Sequence, residues 1–587
     1  MFVIQRLKYH NIVPMLMLIL ITACKPGADK IKDGNNTDFT VTVSMRSEPS
    51  SLHITNNTGN GPLVIFDYTQ RTLTRIDMRN LKQIPLMVTD LGIIAADKKS
   101  IKYTLKSGIK WDDGNPLTAN DVAFTMKVTM AWATANPVRK VNYENVSEVV
   151  LDSTDKSSFT VQFKSASYLN KHIFNELAIM QQSVWDSENI LGKYSITQLS
   201  NEGAYAGIKE ATLPAWFANY NKGENGTNLA KLGGLGPYIV TRWEAGAFVE
   251  LTKKKTWWGS GDTSFYARAN PNRIIIRYIV DDVALMTEIA NKKIDVIGEI
   301  GTANFNKLKT ASGADSQYYF LMGEQFNYNT LAMRTKEWNK QPAIFSDINL
   351  REAMMLLTDV DAINKSLAEG SGTRLNSFVL PFQSPYYNND LPLYKYDLEA
   401  AKALLEISGW KLNKEGIRTK KIAGKEKLLD VTFVYLGNAS TQNLAIILKE
   451  VYKAAGINLI LKDGGKAMPM LVANREYDLA LFQLSNSAIL EDPAQLFDFE
   501  NYLNGGYNLT GFNNPKAYEL IKKIQVTDDV NEQANYTREL QKLVYDSKEW
   551  IYLYAVKRKI IISKKFTNAH IYIDRPGIWL GELTLNN

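Results

Sequence analysis

The sequence predicts a mixed α/β fold with more than one lobe, and three observations carry that expectation. Short apolar runs with period-two alternation are interleaved with amphipathic runs of helical period along the chain. A helical pattern over 444–455 closes on Gly456 and passes directly into the apolar run 457–461, the helix-to-strand step of an α/β layer. At 587 residues the chain is longer than one hydrophobic core organises, so the layers must be divided between lobes.

The N-terminus reads as an export signal. Arg6 and Lys8 supply positive charge, the run 12–21 is apolar apart from Pro14, and small residues lead to Cys24. The run is too short to span a bilayer comfortably, so 1–23 reads as a cleaved segment. Cys24 is the single cysteine, which excludes an internal disulfide framework and a cysteine-based zinc site within one chain. Ile21-Thr-Ala-Cys24 resembles a bacterial lipobox, which implies that Cys24 is acylated and becomes the new N-terminus. Residues 24–37 are rich in Gly, Asn, Asp and Lys and bury too little apolar surface to fold, so they are expected to be a flexible tether.

Folding is expected to begin near Phe39, where Phe39, Val41 and Val43 alternate with threonines as in a strand. A strand over 101–105 is followed by turns at Ser107-Gly108 and Asp112-Asp-Gly114. Thr118 can then cap a helix, with Asp121 three residues on to close a capping box and Leu117 stapled to Val122. Helices are expected over 350–357 after Asp347, over 361–369 up to Gly370, and from Asp397 to Gly409. A strand at 478–482, a helix at 530–546 and the apolar run 550–562 follow.

Several of these segments together resemble the family 5 extracellular solute-binding proteins. The run YTLKSGIKWDDGNPLTANDV at 103–122 is similar to that family's signature. Gly234-Leu-Gly-Pro-Tyr238, Lys255-Thr-Trp-Trp-Gly259, Asn327-Tyr-Asn329, Asn349-Leu-Arg-Glu-Ala353, Asp359-Val-Asp-Ala-Ile363 and the run 400–410 resemble further blocks, in the family's order. The resemblance implies a two-lobed periplasmic-binding-protein fold of class II with an extra subdomain and a hinged cleft. By motif order it implies a first lobe from 38–66, 234–326 and 549–587, an inserted subdomain over 67–233, and a second lobe over 327–548. It also implies a monomer in the cell envelope that captures a peptide in the cleft and delivers it to an ABC permease complex, with no cofactor.

On that resemblance the ligand-binding residues are expected among Glu48, Ser50, Phe326, Tyr328, Phe482, Gln483, Leu484, Ser485, Tyr552 and Tyr554. Core packing is the competing reading of each aromatic. Two departures stand out. The family's usual Asp-Pro after Leu52 is His53-Ile54 here. The family's peptide-binding members hold the ligand's α-amino group with an Asp placed before an Asp-Pro pair. Asp492-Pro493 is present, but Ile489 stands four residues before Pro493, and 485–490 contains no carboxylate. Either Glu491 or Glu48 takes that part, or the ligand lacks a free amine. Asp492 itself reads as a helix cap.

Other classes fit less well. The formal charge of +7 is scattered rather than gathered, which excludes a nucleic-acid footprint. The four histidines, His10, His53, His172 and His570, have no metal-ligand spacing. Two Ser-x-x-Lys strings, at Ser107 and Ser153, fall at turns, and Gly464-Gly-Lys466 lacks the spacing of a phosphate loop. The expected function is therefore binding rather than catalysis. A non-peptide solute such as an oligosaccharide or a metal chelate, or a receptor role without a transporter, are the alternatives.

Overall fold

The computed structural model of the chain describes residues 39–57, 61–135 and 140–586. The signal segment 1–23, the lipidation site Cys24 and the tether 24–37 lie outside the described residues. Helices begin where short polar side chains can take up unpaired backbone N–H groups. The Asp347 carboxylate accepts from Asn349 N at 2.9 Å to start the helix Ile348–Leu357, and Asp397 accepts from Ala400 N at 2.9 Å to start Leu398–Ile407. The expected capping box at Thr118 is present: its N–H donates to the Asp121 carboxylate at 2.9 Å and the helix Ala119–Met130 follows. Asp121 also accepts from Gln182 N at 2.8 Å, so one carboxylate caps the helix and ties it to a distant loop.

Two large sheets organise the chain. The first has seven strands in the order Tyr318–Gly323, Arg558–Ser563, Val296–Ile297, Thr40–Met45, Arg273–Tyr278, Phe248–Lys253, Tyr238–Glu244. The second has six, in the order Thr373–Arg374, Trp550–Ala555, Asn327–Met333, Leu479–Ser485, Asp430–Tyr435, Asn458–Asp463. A four-stranded sheet of Ile93–Ile94, Ser100–Thr104, Ser158–Phe163 and Val146–Leu151 belongs to the segment between Ile76 and Tyr238. One continuous core joins the seven-stranded sheet to helices of that segment, with Val41, Ile274 and Ile562 packed in the same cluster as Phe124, Leu199 and Leu213. The second sheet packs its helices against a separate core around Leu331, Leu350, Val431 and Leu448.

The inserted segment is fastened to the first lobe by close backbone approach and by a cationic–aromatic stack. Gly236 N donates to Thr69 O at 3.0 Å, and a Cβ on Gly236 would stand 2.2 Å from Tyr68 O, so only glycine fits there. The indole N–H groups of Trp257 and Trp258 both donate to Leu235 O at 2.9 Å, which explains the paired tryptophans downstream of the Gly-Leu-Gly-Pro-Tyr run. Arg71 donates to Tyr266 O at 2.9 Å, Arg75 pairs with Asp67 at 2.6 Å, and both guanidiniums lie against the Trp579 ring.

The strand Trp550–Ala555 lies in the six-stranded sheet, paired with Asn327–Met333, and so differs from the expectation that 549–587 belongs wholly to the first lobe. The run 550–562 is two strands divided by Val556-Lys557, where Lys557-Arg558-Lys559 interrupts the apolar pattern and marks the change of sheet. The helix expected over 444–455 spans Ala439–Lys453. It starts earlier because Asn438 caps it, accepting from Ser440 N and Thr441 N at 3.1 Å, while its first turn is too polar to show a period.

Where the strand Trp550–Ala555 begins, Glu549 is buried, with one carboxylate oxygen lacking a hydrogen-bond partner among the described residues. Burial raises its pKa from 4.5 to about 7, against the pull of Thr510 and Arg351. A carboxyl that holds its proton more tightly when folded stabilises fully below pH 4.5, and that contribution is lost as pH rises through about 7. Glu549→Gln is therefore expected to raise the Tm at pH 8, with a gain of up to about 3 kcal/mol, and to change it little at pH 4. Thermal melts at the two pH values check this, and an equal shift at both would overturn it.

Candidate functional site

The chain crosses between the two large sheets twice, at Glu324-Gln325-Phe326 and at Val556-Lys557. The crossings lie side by side because the strands pair antiparallel on both flanks: Gly323 opposite Arg558 in one sheet, Tyr328 opposite Ala555 in the other. Val556 N donates to Asn327 O at 3.0 Å between them, and Lys557 forms an ion pair with Glu324. The result is a two-stranded hinge with a cleft at its side.

Strand direction then shows which loops face the cleft. Thr40–Met45 runs parallel to Arg273–Tyr278 and to Val296–Ile297, and their carboxyl ends point toward the hinge end of Arg558–Ser563. In the second sheet Leu479–Ser485 runs parallel to Asp430–Tyr435, with Ser485 opposite Asn327 at the hinge end. Both lobes therefore present the carboxyl ends of their parallel strands to the cleft, where open α/β sheets bind ligands.

Along Leu479–Ser485 one edge is paired with Asn327–Met333 over its full length. The other edge pairs with Asp430–Tyr435 only at Leu479 and Ala480. From Leu481 to Ser485 that edge carries no strand among the described residues, and the Gln483 and Ser485 side chains are exposed. An unpaired row of backbone N–H and C=O groups beside a hinge is a template for an added extended chain.

The loop that follows brings three parts of the molecule together. The Tyr168 hydroxyl, on the inserted segment, donates to Leu490 O at 2.7 Å, and the Tyr168 ring is buried in a second-lobe cluster with Phe326, Tyr328 and Leu490. Lys98, also on the inserted segment, pairs with Asp528 of the second lobe at 2.5 Å. Next to Leu490, Glu491 keeps solvent access although protein surrounds it. That crowding, the nearby Glu176 and Asp492 carboxylates all push its pKa up, while Ser487 and Arg575 hold it down. Arg575, from the C-terminal part of the chain, pairs with Glu176 at 3.1 Å. Asp574 is raised by the same crowding and is opposed mainly by Arg75.

The residues expected from sequence divide into three groups. Phe482, Gln483, Leu484 and Ser485 lie on the open-edged strand beside the hinge. Phe326, Tyr328, Tyr552 and Tyr554 are buried in the hydrophobic clusters of the second lobe, so their rings build the wall from behind rather than line it. Glu48 is committed elsewhere: one oxygen accepts from Trp243 Nε1 at 2.6 Å and the other from Gly246 N at 2.7 Å, holding the turn after Tyr238–Glu244. Ser50 is exposed on the same loop.

His53, standing where an acidic residue was expected, is buried against the Trp185 and Tyr220 rings, with Nε2 3.2 Å from Tyr220 O. Burial lowers its pKa to about 4, so it is a neutral core residue at physiological pH. Asp492 accepts from Ala494 N at 3.0 Å and from Gln525 at 2.9 Å, holding the turn into Ala494–Phe497, whose capping position is Pro493 rather than Asp492. The cleft carboxylate Glu491 was legible as a neighbour of Asp492-Pro493. Tyr168, Glu176 and Arg575 had no local signal, since each reaches the site from a remote part of the chain.

The family model for bacterial extracellular solute-binding proteins, family 5, middle region, matches residues 82–507. The oligopeptide-binding protein AppA of Bacillus subtilis is 22% identical over 565 residues, covering 92% of each chain. The structure of that AppA in complex with a nonapeptide superposes with a TM-score of 0.70 at 19% identity, covering 93% of this chain and 99% of that one. NikZ from Campylobacter jejuni, in complex with Ni(L-His), gives a TM-score of 0.68 at 19% identity, covering 91% of this chain and 96% of that one. The chain belongs to the bacterial extracellular solute-binding proteins of family 5.

Proposed function

We propose that the chain captures peptides in the cleft between its lobes and delivers them to an ABC importer. The observation that carries this reading is the open strand edge at Leu481–Ser485 beside the hinge. A peptide pairs with such an edge through its own backbone, which is common to every sequence, so binding requires few side-chain contacts. Each backbone hydrogen bond contributes about 0.5–1.5 kcal/mol net, and several in register give useful affinity. The peptide complex of the similar AppA supports the same reading.

Closure follows from the division of the cores. The first lobe and the inserted segment share one core and the second sheet has another, so the two bodies turn about the crossings, and the Tyr168 ring of the inserted segment packs into the second lobe on closure. A ligand that touches both bodies stabilises the closed arrangement over the open one. Saturating peptide is expected to reduce the radius of gyration in small-angle scattering, and an unchanged radius would count against hinge closure.

Glu491 takes the ligand's α-amino group in this reading. It is free of the commitments that occupy Glu48 and Asp492, and an ammonium beside it relieves its repulsion with Glu176 and Asp492. Glu491→Gln is expected to weaken a free peptide at least about tenfold, the loss of one charge-assisted contact, and to leave its N-acetylated form unaffected. Calorimetry on the two peptides checks this, and equal losses for both would exclude an amine contact. A metal chelate is the second reading, because 485–490 lacks a carboxylate and NikZ shares the fold. Ligand recovered from the purified protein and identified by mass spectrometry separates the two.

The lipobox-like sequence supports attachment of the protein to a membrane through acylated Cys24. Cys24→Ser is expected to abolish incorporation of labelled palmitate into the protein. Unchanged labelling of that variant would exclude the anchor.

A further inference from the structure

The second lobe carries a small three-stranded sheet of Lys411–Leu412, Arg418–Ile422 and Lys425–Leu428. Its base is fixed. Arg418 is buried and donates to Ala455 O at 2.7 Å and to Trp410 O at 2.6 Å, at the ends of two helices. Its tip is a two-residue turn, Ala423-Gly424, with positive φ at both positions (50° and 77°) as a tight hairpin requires. The sheet is thus a stiff projection rather than a loose loop.

The tip's chemistry is lopsided. Four of the eight residues from Lys420 to Lys427 are lysines, against one acid, Glu426. Cross-strand register places Lys421 opposite Glu426, but sets Lys420 opposite Lys427 and Ile422 opposite Lys425. Like charges directly across a sheet are destabilising, and among the described residues none of the four lysines is in an ion pair. Lys420 lies over the Trp410 ring at 5.9 Å, so its charge has an aromatic face but no counterion. Ile422 at the apex is 47% exposed, and Leu412 and Leu428 are exposed nearby. Lysines that merely guard a sheet edge against pairing do not call for a bare isoleucine at the apex.

We propose that this hairpin docks on an anionic phospholipid surface, with the lysines at the headgroups and Ile422 at the acyl boundary. Lysines flanking an exposed aliphatic group match a bilayer interface, which offers negative charge outside and hydrocarbon beneath. The stiff base holds the tip out from the second lobe, so the contact orients that lobe toward the membrane. The inference does not depend on what occupies the cleft.

The test uses the mature chain produced from Lys25 onward, so that neither an acyl group nor the apolar run 12–21 contributes, and sedimentation with phosphatidylcholine vesicles with and without phosphatidylglycerol. Binding is expected only with phosphatidylglycerol, weakening as salt rises. Combined Lys420→Glu, Lys421→Glu, Lys425→Glu and Lys427→Glu is expected to weaken it well over tenfold, at about fivefold per lysine. Ile422→Ser, which changes no charge, is expected to weaken it by a smaller factor. Should the reversed variant not fold, the four Lys→Gln changes carry the same expectation. Equal binding by the parent and the lysine variants would overturn the proposal. So would a loss of uptake in cells by those variants with vesicle binding unchanged, which would place a partner protein on this surface instead.

Discussion

Between Gly323 and Asn327, and again between Ala555 and Arg558, the chain leaves one sheet and enters the other, and strand pairing on both flanks keeps these passages adjacent. Backbone hydrogen bonds resist sliding of one strand past its neighbour, because a slip breaks every rung of the ladder together. Bending and twisting cost less, since the ladder is interrupted over only a few residues. The lobes are therefore free to rotate but not to shear. The Glu324–Lys557 ion pair sits in this gap, where any rotation changes its geometry.

Around that hinge, much depends on which charged groups are already occupied. Glu48, Asp121 and Asp492 each hold backbone N–H groups and act as fasteners. Arg351, Arg418 and Arg475 do the converse, spending their donors on carbonyl oxygens of turns and helix ends. Glu176, Glu491 and Arg575 meet from different parts of the fold, and there the Glu176–Arg575 pair leaves Glu491 with no ion pair of its own among the described residues. Charge left unsatisfied by the protein is charge available to a ligand.

Much of the architecture was legible because its causes are local. A cap at Asp347, Asp397 or Thr118 and a positive-φ glycine such as Gly409 or Gly456 act within a few residues, so the sequence displays them. The motif order likewise pointed to two lobes. The change of sheet at Val556 had one local mark, the basic run Lys557-Arg558-Lys559, which a strand reading of the apolar residues on either side passed over. The cleft was legible only in part. Phe482 to Ser485 form a strand end that motif order indicates, whereas the burial of Tyr328 and Tyr552 depends on partners more than a hundred residues away, such as Trp550 and Leu540 around Tyr328. The Glu176–Arg575 pair spans 399 residues, and no spacing rule reaches that far.

The stack of Arg71 and Arg75 against Trp579 and Tyr266 has a mechanical side. By welding the inserted segment to the first lobe, it turns that segment into an arm that reaches the second lobe through Tyr168 on Leu490 and Lys98 on Asp528, contacts separate from the two chain crossings. A hydrogen bond tolerates only a fraction of an ångström of displacement. Separation of the inserted segment from the second lobe would leave Tyr168 without its acceptor and Lys98 without its partner, so these two contacts hold only while the bodies are apposed.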